Sequence, residues 1–117
     1  MNSRPLATAA AGALEELRRW MAGHHVDAAY VTHPVSIEYL TGFRASPMER
    51  LMALAVRSTG ATLIVPALEK ESAEGHSRNA EIVAWRDGED GYALVARALS
   101  GSREIAVEKE HLSLHAA

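Results

Sequence analysis

The chain has 117 residues, 48% of them hydrophobic and 23% charged, a composition that suits a folded globular domain and not a disordered segment. Twelve Lys and Arg stand against fifteen Asp and Glu, a formal charge of −3, which argues against the basic face of an electrostatically driven nucleic-acid binder. With no cysteine, disulfides and thiolate metal sites are excluded, and no apolar run approaches the ~20 residues that cross a bilayer.

Twenty-two alanines and only six aromatic residues point to helices built on small side chains and an aliphatic core. Leu6, Ala10, Ala13, Leu14, Leu17, Trp20, Met21 and His24 recur at helical spacing, with Glu15, Glu16, Arg18 and Arg19 on the other side. That pattern predicts an amphipathic helix of about five turns, ended by Gly23 and the histidines. The uncharged stretch Pro5–Leu14 is alanine-dominated and runs on into Glu15 and Glu16, so it reads as helix and not as a secretion signal. A cytoplasmic location is the expectation, in keeping with the absence of cysteine.

Asp27–Thr32 is a short apolar run with β-branched residues and Tyr30, a predicted buried strand. Pro34 suits the first turn of a helix over Val35–Thr41, which Gly42 closes. The apolar runs Leu51–Val56 and Ala61–Val65, joined by Arg57-Ser-Thr-Gly60, predict a hairpin. Neither run alternates, so both of its strands should be covered on both faces. Pro66 breaks the second run, and Leu68–His76 reads as a polar, surface-lying helix. Ala80–Trp85 is a predicted strand and Tyr92–Leu99 a helix with Leu94, Val95, Ala98 and Leu99 inward. Glu104–Val107 is a last strand, and Glu108–Ala117 begins a helical pattern. The order implies one α/β domain over residues 1–117, a mixed sheet of about five strands with helices on both faces.

Searches for chemistry return little. There is no G-x-G-x-x-G, no G-x-x-x-x-G-K-[ST] and no G-x-S-x-G. Gly88-Glu-Asp-Gly91 has no basic residue beside it and reads as a solvated turn. His111 and His115 are four apart, a spacing that places two imidazoles on one helix face, but no third ligand accompanies them. His24 and His25 suit a helix C-terminus. His33 has two readings, a turn cap or a group at a strand's carboxyl end, where α/β proteins place sites. Glu69, Glu71 and Glu74 read as a solvated helix face, and Asp87, Glu89 and Asp90 as favourable charge ahead of a helix. No catalytic centre emerges from the residues alone.

Four stretches in register carry a resemblance. Leu14-Glu-Glu-Leu-Arg-Arg-Trp-Met leads into Val26-Asp-Ala-Ala-Tyr-Val-Thr-His-Pro34, and Ile37-Glu-Tyr-Leu-Thr-Gly-Phe43 follows. Glu49-Arg-Leu-Met-Ala-Leu-Ala-Val56 is paired with Ala61-Thr-Leu-Ile-Val-Pro-Ala-Leu-Glu-Lys70, and Ile105-Ala-Val-Glu-Lys-Glu-His-Leu-Ser-Leu114 closes the set. Together they resemble the N-terminal domain of the creatinase/prolidase/aminopeptidase P family of metallopeptidases, most like bacterial Xaa-Pro dipeptidases. The resemblance implies a non-catalytic domain, the leading piece of a hydrolase whose C-terminal catalytic domain holds two divalent metal ions such as Mn, Co or Zn. On that basis the chain itself has no catalytic residue, no metal site and no cofactor. Its partners would be the C-terminal catalytic domain, a second copy in a homodimer and, in the full enzyme, a peptide substrate. Its role would be to support oligomerisation and to shape the active-site entrance, with Glu38, Phe43, Arg44 and Met48 as candidates for the mouth. The competing reading makes Tyr39, Leu40 and Phe43 ordinary core. Two other functions stay open: a free-standing interaction or small-ligand-binding module of the same fold, and the N-terminal domain of a creatinase-type amidinohydrolase. A domain that docks on others should also expose an apolar patch.

Overall fold

A computed structural model describes residues 6–44, 51–77 and 79–108, with side chains described from Gly12 onward. Helix α1, Leu6–Gly23, turns its periodic apolar stripe inward, burying Ala13, Leu14, Leu17 and Met21. It ends as the spacing predicts: the His24 and Val26 N–H groups bond back to Trp20 and Met21 carbonyls. His24 stacks on the Trp20 ring with centroids 4.3 Å apart, and its Nδ1 lies 2.8 Å from the Trp20 carbonyl.

Strand β1, Ala28–Val31, leads to α2, Pro34–Thr41. Strands β2, Ala53–Arg57, and β3, Ala61–Pro66, form the expected hairpin, closed by the Arg57 N–H on the Gly60 carbonyl at 2.9 Å. Strand β3 runs one residue past the predicted apolar run and ends at Pro66, which is paired with Trp85. A 3₁₀ turn, Ala67–Glu69, then precedes α3, Lys70–His76, so the predicted helix starts later than its sequence pattern. Leu68 projects into solvent and only Ala73 of α3 is buried. Strand β4, Glu81–Trp85, helix α4, Gly91–Ala98, and strand β5, Ile105–Val107, complete the order.

The strands make one mixed sheet, β4-β3-β2-β1-β5, with β1–β2 and β2–β3 antiparallel and the two outer pairings parallel. Alternation along the strands divides the core. Ala29, Val31, Leu54, Val56, Leu63 and Val65 face α1, α2 and α3. Ala53 and Ile64 face α4, where Val95, Leu94, Ala98 and Leu99 meet them. The hairpin strands are therefore covered on both sides, which is why their sequences show no polar alternation. The expected fold class, α/β with helices on both faces of a five-stranded sheet, is the one observed. No described helix is long and apolar enough to cross a membrane.

Candidate functional site

The segment that the resemblance singles out is α2 and the residues after it. Pro34 begins the helix and His33 caps it: the Val35 N–H donates to His33 Nδ1 at 3.3 Å, so of the two readings of His33 the cap is realised. A second cap comes from far along the chain. Glu108 Oε1 accepts from the Thr32 and His33 N–H groups at 2.9 and 2.8 Å, and Oε2 accepts from the Ser36 hydroxyl. A carboxylate at a helix N-terminus is favoured by the helix dipole as well as by the bonds themselves.

At the other end, Gly42 adopts φ 86°, and its N–H returns to the Glu38 carbonyl at 2.8 Å. That left-handed step costs a residue with a Cβ more than it costs glycine. Thr41 Oγ1 donates to the Ile37 carbonyl at 2.7 Å and accepts from the Phe43 N–H at 3.1 Å. Asn79 Nδ2 donates to the Leu40 carbonyl at 2.8 Å, tying the end of α2 to the start of β4.

The four mouth candidates separate. Glu38 and Arg44 come together as an ion pair, Nε to Oε1 3.3 Å, with the Glu38 side chain 28% exposed and that of Arg44 81%. Phe43 is 1% exposed, packed in the cluster under α1 and α2. The expectation that its ring lines an opening is therefore corrected: the step at Gly42 swings it into the sheet-facing core, where an aromatic ring is most stable. Leu40 is likewise core, whereas Tyr39 is 46% exposed on the same side of α2 as Val35. Met48 lies outside the described residues, as do His111 and His115.

Other side chains that order this region carry no motif. Asp27 Oδ1 accepts from the Arg103 and Glu104 N–H groups at 3.1 and 3.0 Å, and Oδ2 from Arg103 at 3.0 Å. Those backbone bonds hold its carboxyl below the usual 3.8. Asp27 and Glu108 thus grip the two ends of β5, one before it and one after. Arg57 Nη1 donates to the Ala98 and Ser100 carbonyls at 3.0 and 3.1 Å, clasping the end of α4 to the sheet. The Gly88–Gly91 segment is a turn in which Asp90 caps α4 through the Tyr92 N–H at 3.0 Å. An open polar cleft, lined by Arg57, Thr59, Asn79 and Glu81 among others, lies where the parallel strands begin. Sites in α/β sheets favour the opposite ends.

Among the described residues, no three His, Asp or Glu converge to hold a metal ion. The resemblance places the divalent ions in a C-terminal catalytic domain. What the α2 region offers is a rigid, doubly capped helix presenting Val35, Tyr39 and a Glu38–Arg44 pair on its outer side.

Comparison with known proteins agrees with this architecture. Residues 14–117 match the model of the creatinase/prolidase N-terminal domain. The Xaa-Pro dipeptidase of Lactobacillus helveticus is 32% identical over 106 residues, which are 86% of this chain and 29% of that protein. The chain thus spans under a third of the length of that relative. The solved N-terminal domain of Xaa-Pro dipeptidase from Lactobacillus brevis superposes with a TM-score of 0.76 at 33% identity, over 85% of this chain and 78% of that one. Dipeptidase PepE of Mycobacterium ulcerans gives a TM-score of 0.77 at 30% identity, over 97% of this chain and 32% of that one. Sheet order, capped α2 and these matches over nearly the whole length lead to one conclusion: the chain belongs to the creatinase/prolidase N-terminal domain family.

Proposed function

We propose that this chain is the leading, non-catalytic domain of a metal-dependent Xaa-Pro dipeptidase, working in the cytoplasm as part of a homodimer. The peptide bond is broken in a C-terminal catalytic domain, where divalent ions would activate water. The domain described above shapes access to that centre and supports assembly of the oligomer. The observation that carries this reading is the match to the family's N-terminal domain over residues 14–117, in a chain covering 29% of an Xaa-Pro dipeptidase. Glu38 and Arg44 are the entrance residues: paired at the surface, Glu38 on a helix capped at both ends and Arg44 just after it. Phe43 serves from beneath, as the core ring under that helix.

The test begins with the gene. A reading frame that continues past Ala117 into a catalytic domain is expected, and one that stops there overturns the reading. The full-length product, assayed on Xaa-Pro dipeptides with Mn²⁺ or Co²⁺ and again with chelator, should show metal-dependent cleavage. The 117-residue chain alone should show none. Full-length protein that turns over creatine and leaves Xaa-Pro dipeptides intact would assign the amidinohydrolase activity instead.

A further inference from the structure

Helix α2 rests on the core through Ile37 and Leu40 and lies against α1. Apolar burial has no direction of its own. It fixes how deep an eight-residue helix sits and leaves its tilt to bonds that have a preferred angle. Near Gly42 those bonds come from close by and from the start of β4. Thr41 Oγ1 bridges the Ile37 carbonyl and the Phe43 N–H, and Asn79 Nδ2 holds the Leu40 carbonyl. At the Pro34 end the local cap, Val35 N–H to His33 Nδ1, is long at 3.3 Å. The shorter side-chain bonds there go to Glu108. Its Oε1 takes the Thr32 and His33 N–H groups, and its Oε2 takes the hydroxyl of Ser36, a residue that is itself buried.

Register brings Glu108 to this place. Strand β5 runs parallel to β1 with Val107 beside Tyr30, and the Glu108 N–H donates to the Tyr30 carbonyl. The residue after β5 therefore arrives where β1 gives way to α2. A cap from the adjoining chain would satisfy the same N–H groups. A carboxylate from seventy-two positions beyond Ser36 does something that a local cap cannot: it makes the set of α2 depend on β5. The far end of α2 is sensitive to that set. Eight residues span about 12 Å, so a tilt of about 10° at the capped end moves the other end by about 2 Å. Glu38 lies on that helix and Arg44 just past it, and a shift of this size misplaces their pair against a substrate.

We infer that Glu108 is a positioning residue: from the end of β5 its carboxylate sets α2, and through α2 the Glu38–Arg44 pair. This rests on the reading of that pair as entrance residues of a longer enzyme.

Hydrogen exchange and kinetics of the full-length protein test it. Glu108→Ala should speed exchange at the Ile37–Gly42 amides about ten-fold or more. It should raise KM for Xaa-Pro dipeptides about five-fold and hold kcat within about two-fold. Glu108→Gln keeps an oxygen for the two N–H groups and offers an amide that the Ser36 hydroxyl can accept from, so it should restore most of both. Ser36→Ala should shift both readouts the same way by less, and it decides the matter if Glu108→Ala does not fold. Val95→Ala, a core loss under α4, should move neither. In an Arg44→Ala background, Glu108→Ala should change KM by less than about two-fold, because the group it positions is gone. Unchanged exchange in α2 overturns the inference, and so does an equal KM effect with and without Arg44. The assigned activity is judged separately. A full-length protein that cleaves nothing while Glu108→Ala loosens α2 sinks the activity and supports the grip on the helix. One whose KM rises in Arg44→Ala and stays unchanged in Glu108→Ala and Ser36→Ala sinks the positioning alone.

Discussion

Asp27 and Glu108 stand out among the charged residues because each accepts from backbone N–H groups more than seventy positions away. The bonds to Asp27 hold its folded pKa below 3.8, so its contribution to stability is present above the unfolded pKa. That contribution is lost as pH falls from about 4 through the lower folded value. Asp27→Asn should therefore weaken the protein at pH 7 and match wild type at the acid end of that window, as chemical denaturation at the two pH values would show. Glu108→Ala removes three acceptor contacts at the start of α2 and leaves partly buried donors unpaired, a loss of about 2 kcal/mol by urea unfolding. Arg44 behaves differently. Its pair with Glu38 is exposed, so Arg44→Ala should change stability by no more than about 0.5 kcal/mol. If Arg44 stands at the entrance, the same substitution in the full-length enzyme raises KM for Xaa-Pro dipeptides while kcat and the melting temperature hold. Unchanged KM removes it from that role.

At the scale of elements, α2 and β5 are short, eight and three residues, below the length at which helices or strands persist alone. Their order comes from their ends. Gly42 at φ 86° permits the turn that buries Phe43, and Gly42→Ala is expected to cost about 1 kcal/mol in thermal or chemical unfolding. Phe43→Ala, which empties a fully buried site in the main cluster, should cost about 3–5 kcal/mol. Equal losses for the two would contradict the view that Gly42 acts only through the backbone. The element reading of the sequence holds closely here because Pro34 and Gly42 are local signals. It misplaces the start of α3 because nothing in Ala67–Glu69 distinguishes a 3₁₀ turn from the first turn of an α-helix. The side of α2 on which each residue falls was also only half legible. Leu40 and Phe43 are inside and Tyr39 is out, a division set by how α2 lies across α1 and the sheet.

The molecule as a whole is lopsided. One face of the sheet is roofed by α1, α2 and α3 over the larger cluster, and the other carries α4 over a small cluster at one side. Substitutions should reflect this. Leu54→Ala, in the larger cluster, is expected to cost about 2–5 kcal/mol, and Val95→Ala, under α4, about half as much or less, by denaturant unfolding of the same preparation. The sequence by itself determined the succession of helices and strands, the hairpin, the absence of thiol chemistry and the four stretches that mark the family. All of these depend on residues near one another in the chain, where periodicity and turn chemistry act. Only the tertiary structure decided that Asp27 and Glu108 brace β5, that Phe43 lies inside, and that Tyr30, Ile105 and Val107 share one face of the sheet. Each of those facts follows from β5 pairing beside β1 or from helices crossing the sheet, contacts between distant segments that no local pattern encodes.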